Sequence, residues 1–237
     1  MSQKIKCFTD FYSQAPGNRP AYILWKMAKG GVIPSMYSYS PNEYSYAYRP
    51  APATIWTPAM VKLNQDLRLL WSQHVYWTRL AVNSIVGKLP DEKATLERLL
   101  RNPKDFAAAL KPYYGAVIAN RFAQLFTEHL TLAAELVKAL RDGDSRAAAD
   151  ANKRWYANAD EIADFLSRIN PFWSKEEWRK MLYEHLRLTT EEVSTRLAGN
   201  YAQNVALSDP IEAQALGMAD VMTRGIVRQF PSAFRLS

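Results

Sequence analysis

The chain contains three histidines, and each interrupts an otherwise apolar helical stripe: His74, His129 and His185. An imidazole on the core face of a helix can do one of two things. It can ligate a transition metal through a neutral ring nitrogen, or it can anchor a buried hydrogen-bond network. Asn158 takes the corresponding place on a fourth stripe. Carboxylates stand beside these positions: Glu128 precedes His129, Glu184 precedes His185, and Glu161 follows Asn158 by three residues. Adjacent residues on a helix diverge by about 100°, so Glu128 and Glu184 are expected to flank the core. Glu161 lies close to the face of Asn158 and is the candidate inward carboxylate.

Imidazole plus carboxylate inside a helical bundle is the usual donor set of a non-haem metal site, suited to Zn, Fe, Mn or Cu. The expected ligands are His74, His129, His185 and Glu161, supported by Asn158, Glu128, Glu184, Thr78 and Thr189. The alternative is a metal-free layer in which Asn158, Glu161, Thr78 and Thr189 satisfy the rings and fix the register of the helices. No Glu-x-x-His pair of the di-iron type and no His-Glu-x-x-His occurs. Trp71, Trp77, Trp155 and Trp178 are expected to wall the polar layer, and Arg79 reads as a solvated surface charge. Cys7 sits among the first residues with no nucleophile motif around it, and Gly30-Gly31 is too isolated for a phosphate loop. No nucleotide cofactor is expected.

The elements that must carry these residues begin at Thr57-Pro58, an N-cap followed by proline at the first helical position. Met60, Leu63, Leu67, Leu70, His74, Trp77, Ala81 and Ile85 then recur at spacings of three and four, up to Gly87-Lys88-Leu89-Pro90. A short helix is predicted over 91–101, ended or redirected by Pro103. Further stripes run from Ile118 to Leu140 and from Ala148 to Ile169. Ser174-Lys175-Glu176-Glu177 is a capping box that opens the helix of His185, and Ser208-Asp209-Pro210 opens a last helix. This is an all-α pattern: an up-and-down four-helix bundle with an additional C-terminal helix. Counted from the turns, His129 lies 12 residues before Arg141, Asn158 lies 14 after Asp144, and His185 lies 11 after Ser174. At about 1.5 Å per residue these fall within roughly one turn of a common level.

Residues 1–55 are different. They hold seven of the 13 tyrosines and six of the 13 prolines, and read as an extended arm. The divisions are thus 1–55 arm, 56–231 bundle and 232–237 tail. Oligomerisation is expected through the arm or the C-terminal helix. The 237 residues include one cysteine, 48% apolar and 22% charged residues, and no apolar run long enough to span a membrane. The first residues lack an apolar signal segment, so a cytoplasmic location is the expectation. The net charge of +7 is spread without basic runs, which makes nucleic acid an unlikely partner.

The segments 70–79 (Leu-Trp-Ser-Gln-His-Val-Tyr-Trp-Thr-Arg), Arg101-Asn102-Pro103, 155–162 and Tyr183-Glu184-His185-Leu186 resemble a family of uncharacterised helical proteins of spore-forming Firmicutes. Its members often carry the label acetylglutamate kinase. The likeness covers roughly residues 56–231 and implies a helical bundle with the same His and Asn positions, with spore association one expectation. It implies no established reaction. The kinase label itself conflicts with the residues, because such kinases need alternating strands and glycine-rich loops that this region lacks. The second functional reading is a structural protein that assembles through its tyrosine-rich arm.

Overall fold

The structure, a computed structural model, describes residues 56–235. The expectations for the 1–55 arm fall outside them. Within the described residues every regular element is helical and there is no strand. The helices are α1 (Pro58–Gly87), α2 (Glu92–Leu99), α3 (Asn102–Asp142), α4 (Ser145–Ile169), α5 (Lys175–Leu197), α6 (Tyr201–Ala206) and α7 (Ser208–Gln229), followed by a 3-10 turn, Pro231–Phe234.

The caps predicted at Thr57 and Ser174 form, and Asp144 supplies a third. Met60 N donates to Thr57 Oγ1 (3.3 Å), Ala147 N to Asp144 Oδ1 (2.9 Å) and Glu177 N to Ser174 Oγ (3.2 Å). Pro103 opens α3 rather than ending the element before it, because a first-turn proline has no amide bond to lose. The reversal comes later. Gly115 has φ 76° and ψ 170°, a region open only to glycine, and there α3 doubles back on itself. The ring centroids of Phe106 and Phe122 are 5.9 Å apart, where a straight helix would separate those residues by about 24 Å.

Residues 102–114 therefore descend and 116–142 ascend. The result is three helical hairpins: α1 with 102–114 (linked through α2), 116–142 with α4, and α5 with α7. α1 packs on α3 and α7, α3 on α4, α4 on α5, and α5 on α7 and α1, which closes the ring. The C-terminal helix packs alongside as expected and forms one wall of this ring. No helix among the described residues is long and apolar enough to cross a membrane.

The base of the ring is locked by polar side chains. Asn170 Nδ2 donates to Tyr114 Oη (2.8 Å), Tyr114 Oη to Gln229 Oε1 (3.0 Å), and Gln229 Nε2 to Ile169 O (2.9 Å). Trp173 lies flat on α7 and donates its Nε1 to Val221 O (3.2 Å). This requires glycine at 225, where a Cβ would come within 1.8 Å of the indole nitrogen. The 3-10 turn is anchored, since Phe234 is buried and stacks on Tyr113.

Candidate functional site: an imidazole layer on the axis of the bundle

The three ascending limbs each deliver one histidine to the interior, and all three are 3% exposed or less. His74 Nε2 and His185 Nε2 stand 3.2 Å apart. The opposite side of each ring meets an amide. His129 Nδ1 lies 2.8 Å from Asn158 Oδ1, and His185 Nδ1 lies 3.0 Å from Gln214 Oε1. Those amides are themselves oriented, since Asn158 Nδ2 donates to Leu125 O (3.1 Å) and Gln214 Nε2 to Met181 O (2.9 Å). Asn102 does the same beside His74, donating to Leu70 O (3.0 Å). It is close enough to favour the protonated His74 ring, but the bond stops short of forming. His74 Nδ1 and Asn102 Oδ1 have no partner among the described residues.

The pattern is one unit used three times. The anchoring carbonyls, Leu70, Leu125 and Met181, each stand four residues before their histidine. The amides Asn102, Asn158 and Gln214 follow it by 28, 29 and 29 residues. His74, His129 and His185 recur at 55 and 56 residues. The packing repeats as well. Leu67, Phe122 and Trp178 lie seven before the histidines, and Phe106, Ile162 and Met218 four after the amides, all buried. The bundle is thus a threefold internal repeat of a helical hairpin, with the imidazole layer across its pseudo-axis.

The amides settle the tautomers. The oxygens of Asn158 and Gln214 point at Nδ1, so His129 and His185 carry their proton there and hold a lone pair on Nε2. Burial pushes the affinity of all three rings for a second proton down: His129 to about 3 and His185 to about 4, each opposed by its amide bond. His74 also falls well below the usual range, through burial and then through the two neighbouring imidazoles. At neutral pH the layer is uncharged, which is the form in which imidazole ligates metals.

A neutral pair cannot satisfy both sides of His74. To bond His185 it must donate from Nε2, which turns a bare Nδ1 toward Asn102 Oδ1, acceptor facing acceptor. To bond Asn102 it must donate from Nδ1, which sets two Nε2 lone pairs against each other at 3.2 Å. That gap is too short for a water between them. A single cation shared by the two nitrogens removes the conflict, and the second arrangement then matches His129 and His185.

The carboxylates stay outside. Glu161 is exposed: Asn158 and Ile162 define the inward face, and Glu161 lies about 60° from the first and about 100° from the second, on the solvent flank. Glu128 is exposed, and Glu184 turns away to pair with Arg187 (2.7 Å). None of the three supports a ring. The threonines do not either: Thr189 Oγ1 donates to His185 O within its own helix (2.8 Å), and Thr78 Oγ1 has no partner. Trp71 packs edge-on against His74 (5.5 Å) and Trp155 against His129 (5.4 Å), so these two wall the layer. Trp77 lies off it with the Arg98 guanidinium over its ring, and Trp178 packs two turns below against Trp173. Arg79 is a partly buried counter-ion to the buried Glu192 rather than a solvated charge. It bonds Glu192 at 2.6 Å and the oxygens of Asn204, tying the short helix α6 to the ring.

Asn102 and Gln214 are the functional residues that single-stripe reasoning missed, and the 56-residue period is the signal that identifies them. Among the described residues no group of three or more His, Cys, Asp or Glu stands together in ligand geometry. The layer itself is a close pair, His74 and His185, with His129 near enough to lower the proton affinity of His74. Compared with protein-family models, curated proteins and solved structures, the chain finds no match.

Proposed function

We propose that the protein is a metal-binding bundle whose imidazole layer holds one transition-metal ion, with His74 and His185 as the first two ligands and His129 as the third. One observation carries this reading: two Nε2 atoms face each other at 3.2 Å, and no neutral arrangement satisfies both this pair and the far nitrogen of His74. Two imidazole nitrogens bound at about 2.0–2.1 Å and a tetrahedral angle lie about 3.3–3.4 Å apart, so the pair is spaced as it would be on a shared ion. The rest of each ring supports it. Ligating histidines characteristically commit their other nitrogen to an oxygen acceptor that fixes tautomer and orientation, and here each imidazole faces an amide anchored on the carbonyl one turn back. With the carboxylates on the surface, the donor set is nitrogen alone. That favours Zn, Cu or Fe over Mn.

A shared proton is the competing cation, and burial disfavours it. The chain's own residues thus supply a neutral, preoriented set of donors in a dry interior, and a metal ion there would bring Lewis-acid or redox capacity.

The test is elemental analysis of untagged full-length protein purified without chelators. About one transition-metal ion per chain is expected, lost in His74→Ala and in His185→Ala. Protein that stays metal-free after incubation with Zn, Fe and Cu salts would make the layer a register-setting hydrogen-bond network, and the protein a structural one.

A further inference from the structure

Immediately beyond the imidazole layer lies a small apolar cavity of about 30 Å³. Its lining follows the threefold repeat. Thr78, Ala133 and Thr189 stand four residues after the three histidines, and Val82, Val137 and Val193 stand eight after. On parallel helices these are the next two layers along the axis, so the cavity sits over the imidazoles. Trp155, which packs against His129, closes one side.

We propose that this cavity is a ligand chamber that delivers a small neutral molecule of diatomic size, such as dioxygen or nitric oxide, to the imidazole layer. A single water needs about 10–15 Å³ of such space, so the cavity has room for a molecule somewhat larger than water. The apolar lining, with no ionisable group on it, excludes anions and favours weakly hydrated molecules. Delivery to the layer as a metal site rests on the function proposed above, whereas occupancy of the chamber does not.

Two measurements separate them. In metal-free full-length protein, dissolved dioxygen should broaden the methyl resonances of Val82, Ala133 and Val193 selectively, and Ala133→Leu should abolish the effect. Should Ala133→Leu fail to fold, Val82→Ile narrows the same space by one methylene. In protein loaded with ferrous ion, nitric oxide should give its half-integer-spin paramagnetic resonance signal. The chamber-filling variant should lower the apparent affinity at least tenfold with iron content unchanged. Methyl signals indifferent to dioxygen would overturn the chamber, whatever the metal does. Selective broadening in a chain that takes up no iron would overturn delivery and the metal site while leaving the chamber. Iron uptake with nitric oxide binding unchanged in the variant would overturn delivery alone.

Discussion

Gln214 carries no charge and sits half-buried on the last long helix, yet it fixes which nitrogen of His185 holds the proton. Gln214→Leu keeps the bulk and removes the acceptor. The variant should lose about 1–3 kcal/mol by denaturant unfolding, because the ring proton is left buried without a partner. Its metal affinity should fall about 10- to 100-fold by competition with a chelating dye. Asn158→Leu should do the same through His129. The rings also set an acid limit. Each takes a proton more weakly folded than unfolded, where the ordinary value is 6.5. The unfolded state therefore binds more protons below that pH, and stability falls as pH drops from about 6.5 toward 4. In chelator-treated protein the coupled uptake should approach three protons per molecule, read from midpoints at several pH values. His129→Leu should remove one of them. The histidines were legible as core residues because they break apolar stripes. Of their amide partners only Asn158 was, since Asn102 stands at a helix start where asparagine has a capping reason to occur, and glutamine at 214 disguises its kinship with Asn158.

The elements were legible wherever a cap announces them. Thr57 and Ser174 each precede an apolar period and accept the expected backbone amide, and Asp144 does the same where no cap was expected. The doubling of α3 was hidden, because the predicted elements stop at 101 and resume at Ile118, whereas helical hydrogen bonding brackets the turn at Gly115 on both sides. Two glycines test this scale. Gly115→Ala forces a β-carbon into a backbone region reserved for glycine and should cost about 1–3 kcal/mol, although nothing stands near the new methyl. Gly225→Ala inverts the usual rule. Alanine in mid-helix normally stabilises by about 1 kcal/mol, but here the methyl meets the Trp173 indole and should destabilise by about 1–3 kcal/mol. Calorimetric midpoints would show both losses, and the double variant Gly225→Ala/Trp173→Leu should recover part of the second.

For the whole molecule, an all-α fold follows from periodicity alone, but the closed ring does not, because it depends on α7 covering α1. Arg68 and Asn64 of α1 bond Asp220 of α7 (2.8 and 2.9 Å), and Met218 and Met222 are buried in the shared core. Ending the chain at residue 207 removes Gln214 and uncovers the α1 face together. The truncated chain should lose cooperative thermal unfolding altogether rather than melt in two steps. An independent stable core in the remaining hairpins, seen as a sharp transition by circular dichroism, would contradict the ring as the folding unit.

The part-buried pair of Arg79 and Glu192 gives the triplication a further meaning. Glu192 stands seven residues after His185, where the other two hairpins have Ala81 and Leu136. In a trimer of identical chains one mutation changes all three walls at once, and an ion pair on one side only is out of reach. Here the three walls are encoded separately. A triangle of equivalent donors can therefore be kept while a single face acquires its own charge, handedness and route of approach.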